Sequence, residues 1–420
     1  MKELTVLITN NTLADRAGTE LYVRDLALAL LKRGHRPIAC SNILGKVAEE
    51  LRAATIPVID DPASLTAPPD IIHGHHHLDT MTALLTFPGT PAIYYCHGWL
   101  PWQEWAPVFP RIYRYVAVDD VCRDRLLFEC GIPEKAITVI HNFVDLERFQ
   151  PRAPLPPQPR RALVFSNYAN QQSYLPVVRQ ACKELELELS VIGSGIGNAV
   201  TRPELELGKY DLVFAKGRSA LEALAVGTAV VLCDGNGVGS MVTTSDLSRF
   251  RSLNFGVRTL QSQLTLEALL REISRYNATD AAEVSARIRA MASMDKTVDQ
   301  IIALYETVIQ EHQEKGGASG LEDQRAAARY LQKQSHRIKT TDLIWAEGGS
   351  KALRERKLHL WQLGQDKEQL LWEIKPFARL GLVAIFNWIR TTWMMKKLRQ
   401  FFSSSEKRTA TDKVVDEQHS

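Results

Sequence analysis

The sequence predicts an α/β protein in which two Rossmann-like domains face a cleft and a helical C-terminal tail follows. Three observations predict it. Short apolar runs alternate with amphipathic stretches in two blocks, a proline-rich segment divides the blocks, and a glycine-containing break, EKGGASG from Glu314, precedes a basic, tryptophan-rich end. The boundaries that follow are residues 1–150, 151–312 and 313–420.

In the first block, the apolar run Leu4–Ile8 has the pattern of a parallel strand buried on both faces, and Thr19–Arg33 has helical spacing through Leu21, Leu26, Leu28 and Leu31. Further strands are expected at Arg36–Cys40, Ile56–Ile59, Asp70–His73, Ala92–Cys96, Arg114–Val118 and Ala136–Ile140, mostly with helices between them, which is a doubly wound sheet. The segment PRAPLPPQPR after Gln150 cannot continue a helix or a central strand and reads as a semi-rigid linker. The second block offers strands at Arg161–Phe165, Glu188–Ile192, Tyr210–Phe214 and Ala229–Leu232, and helices at Leu175–Leu185 and Ser219–Val226. Ligands collect beyond the C-terminal strand ends of open α/β sheets, so two such sheets imply a substrate gripped between them.

Composition narrows the function. With 420 residues, 45% hydrophobic and 24% charged, the chain is ordinary globular material, and a net charge of +3 excludes nucleic-acid binding by bulk electrostatics. The six cysteines form no C-x-x-C pair and sit mostly in apolar runs, as reduced thiols do; with an N-terminus that lacks a signal-peptide pattern, this places the expected location in the cytoplasm.

Several segments carry a resemblance in a fixed order. The stretch AGTELYVRDLALALLKRGHRP from Ala17, DIIHGH from Asp70, YCHG from Tyr95, VAVDD from Val116 and ITVIHNFVDLERFQP from Ile137 resemble the first domain of GT-B glycosyltransferases of the family 4 (group 1) type. In the second block, VIGSG from Val191 and ALEALAVGTAVV from Ala220 resemble that family's donor-domain glycine turn and glutamate-headed helix. The likeness spans residues 1 to about 310. It implies transfer of a sugar from a nucleotide diphosphate sugar to a glycan, lipid-linked or other acceptor, in surface polysaccharide or glycoconjugate synthesis. No resident cofactor is implied, the nucleotide sugar being a co-substrate.

Individual residues follow from the resemblance and from their own chemistry. Gly18 precedes a helix, where free amides and the absent Cβ suit a phosphate, although a plain turn capped by Thr19 has the same local pattern. His97, in the position where the family has a histidine near the transferred sugar and acceptor, is the catalytic candidate: a neutral imidazole can orient a hydroxyl or receive its proton near pH 7. His75 and Trp99 are assigned to the acceptor or phosphate side, Trp99 lying in a loop that also holds Trp102 and Trp105. His73, His75, His76 and His77 lack a nearby cysteine or tight carboxylate companion, and no D-x-D-type pair occurs in the second block, so a metal-independent reaction is expected.

The donor site is expected in KGRSALEALAVG from Lys216. Lys216 and Arg218 would place cations beside a helix N-terminus capped by Ser219, and Glu222 matches the carboxylate that holds ribose hydroxyls in the family. Gly237 and Gly239, in the loop DGNGVGSM from Asp234, would let backbone amides approach the sugar or phosphates. Two positions depart from the family. Phe214 stands eight residues before Glu222 where another glutamate is common, and SNYANQQSYLPVV from Ser166 lacks the customary basic pair. These departures keep two alternatives open, a nucleotide-sugar epimerase of the same fold and a non-catalytic glycan-binding or membrane-associated scaffold. Hydride transfer is disfavoured, because a dinucleotide fingerprint starting at Gly193 would need glycine at position 198, which is Asn198.

Five of the eight tryptophans lie in the tail, and Pro376–Phe402 contains Arg379, Arg390, Lys396, Lys397 and Arg399 but no acid. On a helix Arg379, Asn387, Arg390 and Lys397 form a polar stripe flanked by apolar residues, the pattern of a segment that lies on an anionic membrane surface or pairs with another copy.

Overall fold

The computed structural model describes residues 2–316 and 320–348. The first block builds β1 (Thr5–Thr9), α1 (Gly18–Lys32), β2 (Arg36–Cys40), α2 (Lys46–Ala53), β3 (Val58–Ile59), β4 (Ile71–His75), α3 (His77–Thr86), β5 (Ala92–Cys96), β6 (Ile112–Ala117), α4 (Asp120–Asp124) and β7 (Ile137–Val139). Its seven strands are parallel in the order β3-β2-β1-β4-β5-β6-β7. Each strand predicted there is found, shifted by a residue or two where polar residues such as Asp70 flank the apolar run.

The second block contains β8 (Arg161–Phe165), α5 (Leu175–Glu184), β9 (Glu188–Ile192), β10 (Leu212–Ala215), α6 (Gly217–Val226), β11 (Ala229–Asp234) and β12 (Gly237–Met241). The sheet order is β12-β11-β10-β8-β9, with β12 antiparallel to β11 and the other pairings parallel. The strand β12 departs from expectation: its glycines look like a loop in sequence, but Gly235 and Asn236 make a tight turn in which the Asn236 N–H donates to Asp234 Oδ1 at 2.6 Å.

After β12 the chain forms α7 (Leu247–Ser252), α8 (Leu266–Ile273), α9 (Ala278–Met291), α10 (Met294–Glu314) and α11 (Gly320–Gly348). The apolar face of α10 returns to the first sheet, where Val298, Ile301, Ile302, Tyr305 and Val308 join the core of β1, β4 and β5. Both sheets therefore lie in one compact unit, which ends at Gln332. The first turns of α11 pack on the first sheet as well. Ala326 is buried there, and Arg111, itself fully buried, pairs with Asp323 at 2.6 Å and donates to the carbonyls of Phe87 and Thr90. The amphipathic segment 376–402 lies outside the described residues, and among the described residues no helix is long and apolar enough to cross a membrane.

Reversals of strand order place loops at the carboxyl edges where ligands bind. In the first sheet the reversal falls between β1 and β4, and in the second between β8 and β10. The loops after β1, β8 and β10 meet across one cleft.

Candidate functional site

The cleft has a volume of about 550 Å³. One wall is the β1–α1 loop and the face of α1, with Arg16, Gly18 and Arg24; the other is the loops after β8 and β9 and the start of α6, with Ser166, Gly193, Arg218, Ser219 and Glu222. Gly193 is required by a close approach, since a Cβ there would sit 1.9 Å from the Ser166 carbonyl oxygen. At the far end of α6, Gly227 adopts φ 98° and closes the helix in the left-handed conformation.

The start of α6 is open to an anion. Its cap, Lys216, makes no side-chain capping bond, and the Gly217 N–H donates to Phe255 O at 2.8 Å, so the amides of Arg218 and Ser219 have no partner within the helix. The cations nearby are already paired. Lys216 Nζ contacts the Asp234 carboxylate, while Arg218 contacts Asp25 of α1 and donates from Nε to Glu222 Oε1 at 2.8 Å. Asp25 also accepts from Arg24 at 2.6 Å and faces Arg148 at 3.7 Å, so one buried carboxylate gathers three arginines. Burial pushes the Asp25 carboxyl up, but Arg218 and Arg24 outweigh it and hold it below the usual carboxylate range. Burial raises Glu222, with Arg218 pulling the other way.

A second cluster lies at the carboxyl ends of β4 and β5. His97 Nε2 meets His75 Nδ1 at 2.8 Å, His73 Nδ1 meets the Tyr305 hydroxyl, and the Tyr22 ring of α1 stands edge-on to His97 with centroids 4.7 Å apart. Burial lowers His97 to about 4, Glu104 opposing and the Arg218 charge reinforcing, while burial holds His73 and His75 well below the ordinary histidine range. All three imidazoles are therefore neutral at physiological pH. Beside them, His76 caps α3 with φ 59° and ψ 136°, a conformation that costs roughly 1–3 kcal/mol and persists only where the surroundings fix it. The fixing groups are the Asn11 N–H, which donates to His76 Nδ1 at 3.0 Å, and Glu104, 3.5 Å from His76 Nε2. Burial pushes the Glu104 carboxyl up, but His76 and His97 outweigh it and hold it low.

The residues singled out from sequence thus divide. Gly18, Arg218, Ser219 and Glu222 line the cleft, whereas Lys216, His75, His97, Trp99, Gly237 and Gly239 do not. Three expectations are corrected. Ser219 is not the cap of α6 but lies in its first turn, because the helix begins two residues earlier. Gly237 and Gly239 are buried strand residues: a Cβ on either would come within 2.6 Å of the carbonyl oxygen of Ser262 or Thr259, so packing accounts for them. His97 is half-buried and far less basic than a proton acceptor working near pH 7 requires. Lys216 is turned to Asp234. His75 is fully buried under His97, and Trp99 is exposed on the loop beyond it.

Sequence reasoning missed Asp25, Arg148 and Glu104. The available signal for Asp25 was a charged pair, Arg24-Asp25, set among the apolar residues of α1, where unpaired charge is not tolerated. Among the described residues no three His, Cys, Asp or Glu side chains are grouped as a metal site.

Comparison with known proteins agrees with this architecture. Residues 16–148 match the sequence profile of Glycosyltransferase Family 4. A glycosyltransferase from Rickettsia africae ESF-5 superposes with a TM-score of 0.54 at 16% identity, covering 74% of this chain and 99% of that one. Anabaena HepE, solved with UDP and glucose, superposes with a TM-score of 0.52 at 14% identity, covering 72% of this chain and 100% of that one. A search of curated protein sequences found no match. These likenesses establish the two-domain GT-B fold.

Proposed function

We propose that this chain, a GT-B protein resembling glycosyltransferase family 4, moves a sugar from a nucleoside diphosphate sugar held against α6 to an acceptor held against the first sheet. The observation that carries the proposal is the cleft itself. Unpartnered amides of Arg218 and Ser219, the Arg218 guanidinium and the Glu222 carboxylate meet there opposite Gly18. The amides and Arg218 would receive the departing diphosphate, and Glu222 the ribose hydroxyls. His97, neutral, would orient an acceptor hydroxyl by hydrogen bonding, and the exposed Trp99 would meet the acceptor's apolar or sugar face. The chemistry needs no metal in this reading, the leaving charge being met by amides and guanidinium. Anabaena HepE was solved with UDP and glucose, which makes UDP the first nucleotide to try.

The test is a thermal-shift panel of UDP, GDP and ADP and their sugars. A nucleotide that binds the folded state raises the melting temperature, and Glu222→Ala is expected to lose most of that rise. A rise kept in full by the variant removes Glu222 from the site. Release of a free epimer without acceptor would instead favour the epimerase, and no affinity for any nucleotide the scaffold.

For the basic segment 376–402 we propose attachment to the inner face of an anionic membrane, from its stripe of cations between aromatic residues. Deleting it is expected to release the protein from phosphatidylserine-containing vesicles in a flotation assay. Unchanged flotation would reject that role in favour of self-association.

A further inference from the structure

One carboxylate joins three elements at the acceptor side. Glu104 is 3% exposed, in the turn Trp102–Glu104 that follows β5. Its Oε2 accepts the backbone N–H of His97 at 2.9 Å, and its Oε1 lies 3.5 Å from His76 Nε2. The Asn11 N–H donates to His76 Nδ1, and a ring nitrogen that accepts carries no proton. The His76 proton is therefore on Nε2, pointing at Glu104. With both nitrogens committed, His76 has no lone pair left for an acceptor hydroxyl, so the His76–Glu104 couple is not a general base.

Its geometry suits another task. The fastenings of the segment from His97 to Trp105 include three: Glu104 on the His97 amide, Arg125 Nη1 donating to Gly98 O at 2.7 Å, and the Trp102 ring edge-on to His77 at 5.3 Å. Trp99 and Leu100 are left exposed on a segment whose root is fixed. Of the three fastenings, Glu104 alone reaches back to both the β1–α1 loop, through His76 and Asn11, and the His97 backbone. We infer that Glu104 is a positioning residue, which sets the place of the His97 imidazole and of the tryptophan-bearing segment relative to the cleft. The inference rests on the acceptor-side reading of His97 and adds to it the group that aims it.

The experiment uses the full chain, ¹⁵N-labelled, as wild type, Glu104→Ala and Glu104→Gln, with His76→Asn to assign the His76 ring. Long-range proton–nitrogen spectra should show His76 locked with its proton on Nε2 in the wild type. Glu104→Ala should keep that tautomer, because Asn11 still donates to His76 Nδ1, but should shift the His97 ring signals. Glu104→Gln should hold the His97 signals near their wild-type positions, because its amide oxygen still accepts the His97 N–H. Chymotryptic cleavage after Trp99 or Trp102, located by mass spectrometry, should quicken about tenfold in Glu104→Ala, as a loosened segment opens more often. UDP affinity by calorimetry should stay within about twofold, the two sites sharing no direct partner. His97 ring signals and a cleavage rate unchanged in Glu104→Ala, with only a lowered melting temperature, overturn the inference. Failure of the unaltered protein to bind UDP bears on the transferase reading and leaves the tautomer result readable.

Discussion

Arg218→Ala is expected to weaken UDP binding by about 10- to 100-fold and to lower unfolding free energy by about 3 kcal/mol. Both effects come from one guanidinium. It stands at the start of α6, beside the amides of the donor wall, and contacts the buried Asp25 of α1 together with Glu222. Truncation removes a charge-assisted donor from the cleft and leaves two buried carboxylates short of a partner, Asp25 retaining Arg24 and Arg148. Asp25→Asn should act differently, since it frees Arg218 from a competing carboxylate: UDP should bind more tightly while stability still falls. Calorimetry with UDP and urea unfolding separate the two quantities. An Arg218→Ala protein that binds UDP as the wild type does would remove Arg218 from the donor site.

Acid is expected to destabilise the protein from about pH 6.5 downward, before most of its carboxylates are protonated. Burial lowers His73, His75 and His97, so below the ordinary histidine value of 6.5 the unfolded chain binds protons that the folded chain refuses, until His97 titrates at about 4. Stability therefore falls with pH across that window, by about 1.4 kcal/mol per pH unit for each histidine at full effect. Burial raises Asp79 to about 6, and Glu20 and Glu222 also rise; these carboxyls bind protons on folding and oppose the fall. Asp79, Glu20 and Glu222 offset at most three protons against five from the histidines, because burial lowers His35 and His141 as well, so the histidines prevail. Asp25 and Glu104, held low, lose their contribution only below the carboxylate range and do not act near pH 6. Urea unfolding at pH 7, 6 and 5 should show the decline, and His75→Phe should flatten it. A stability independent of pH between 7 and 5 would contradict the buried neutral cluster.

The legible part of the fold was what local pattern fixes. Runs such as Leu4–Ile8 and Ala92–Cys96 are buried on both faces, so their apolar character appears without reference to anything distant. Gly18, at the start of α1, and Glu222, inside α6, were reachable for the same reason, each lying within a local motif, and both line the cleft. What escaped depends on residues brought together from far apart. Asp25 meets Arg218 across 193 positions, and nothing near either one announces the other. The basicity of His97 is set by burial beneath α1 and by Arg218, neither of which a sequence window contains. Glycines misled once, at β12, where close approach to the 259–262 backbone and close approach to a ligand leave the same residue type.

The return of α10 to the first sheet bears on how the chain is made. Tyr305 and Val308, which complete the core over β4 and β5, leave the ribosome only after the whole second sheet has been synthesised. During translation the earlier half must keep an apolar flank bare while the later half assembles, so the two halves mature in an order opposite to their synthesis. A truncated product ending near residue 150 lacks that covering altogether and presents the bare flank to chaperones and to its own kind.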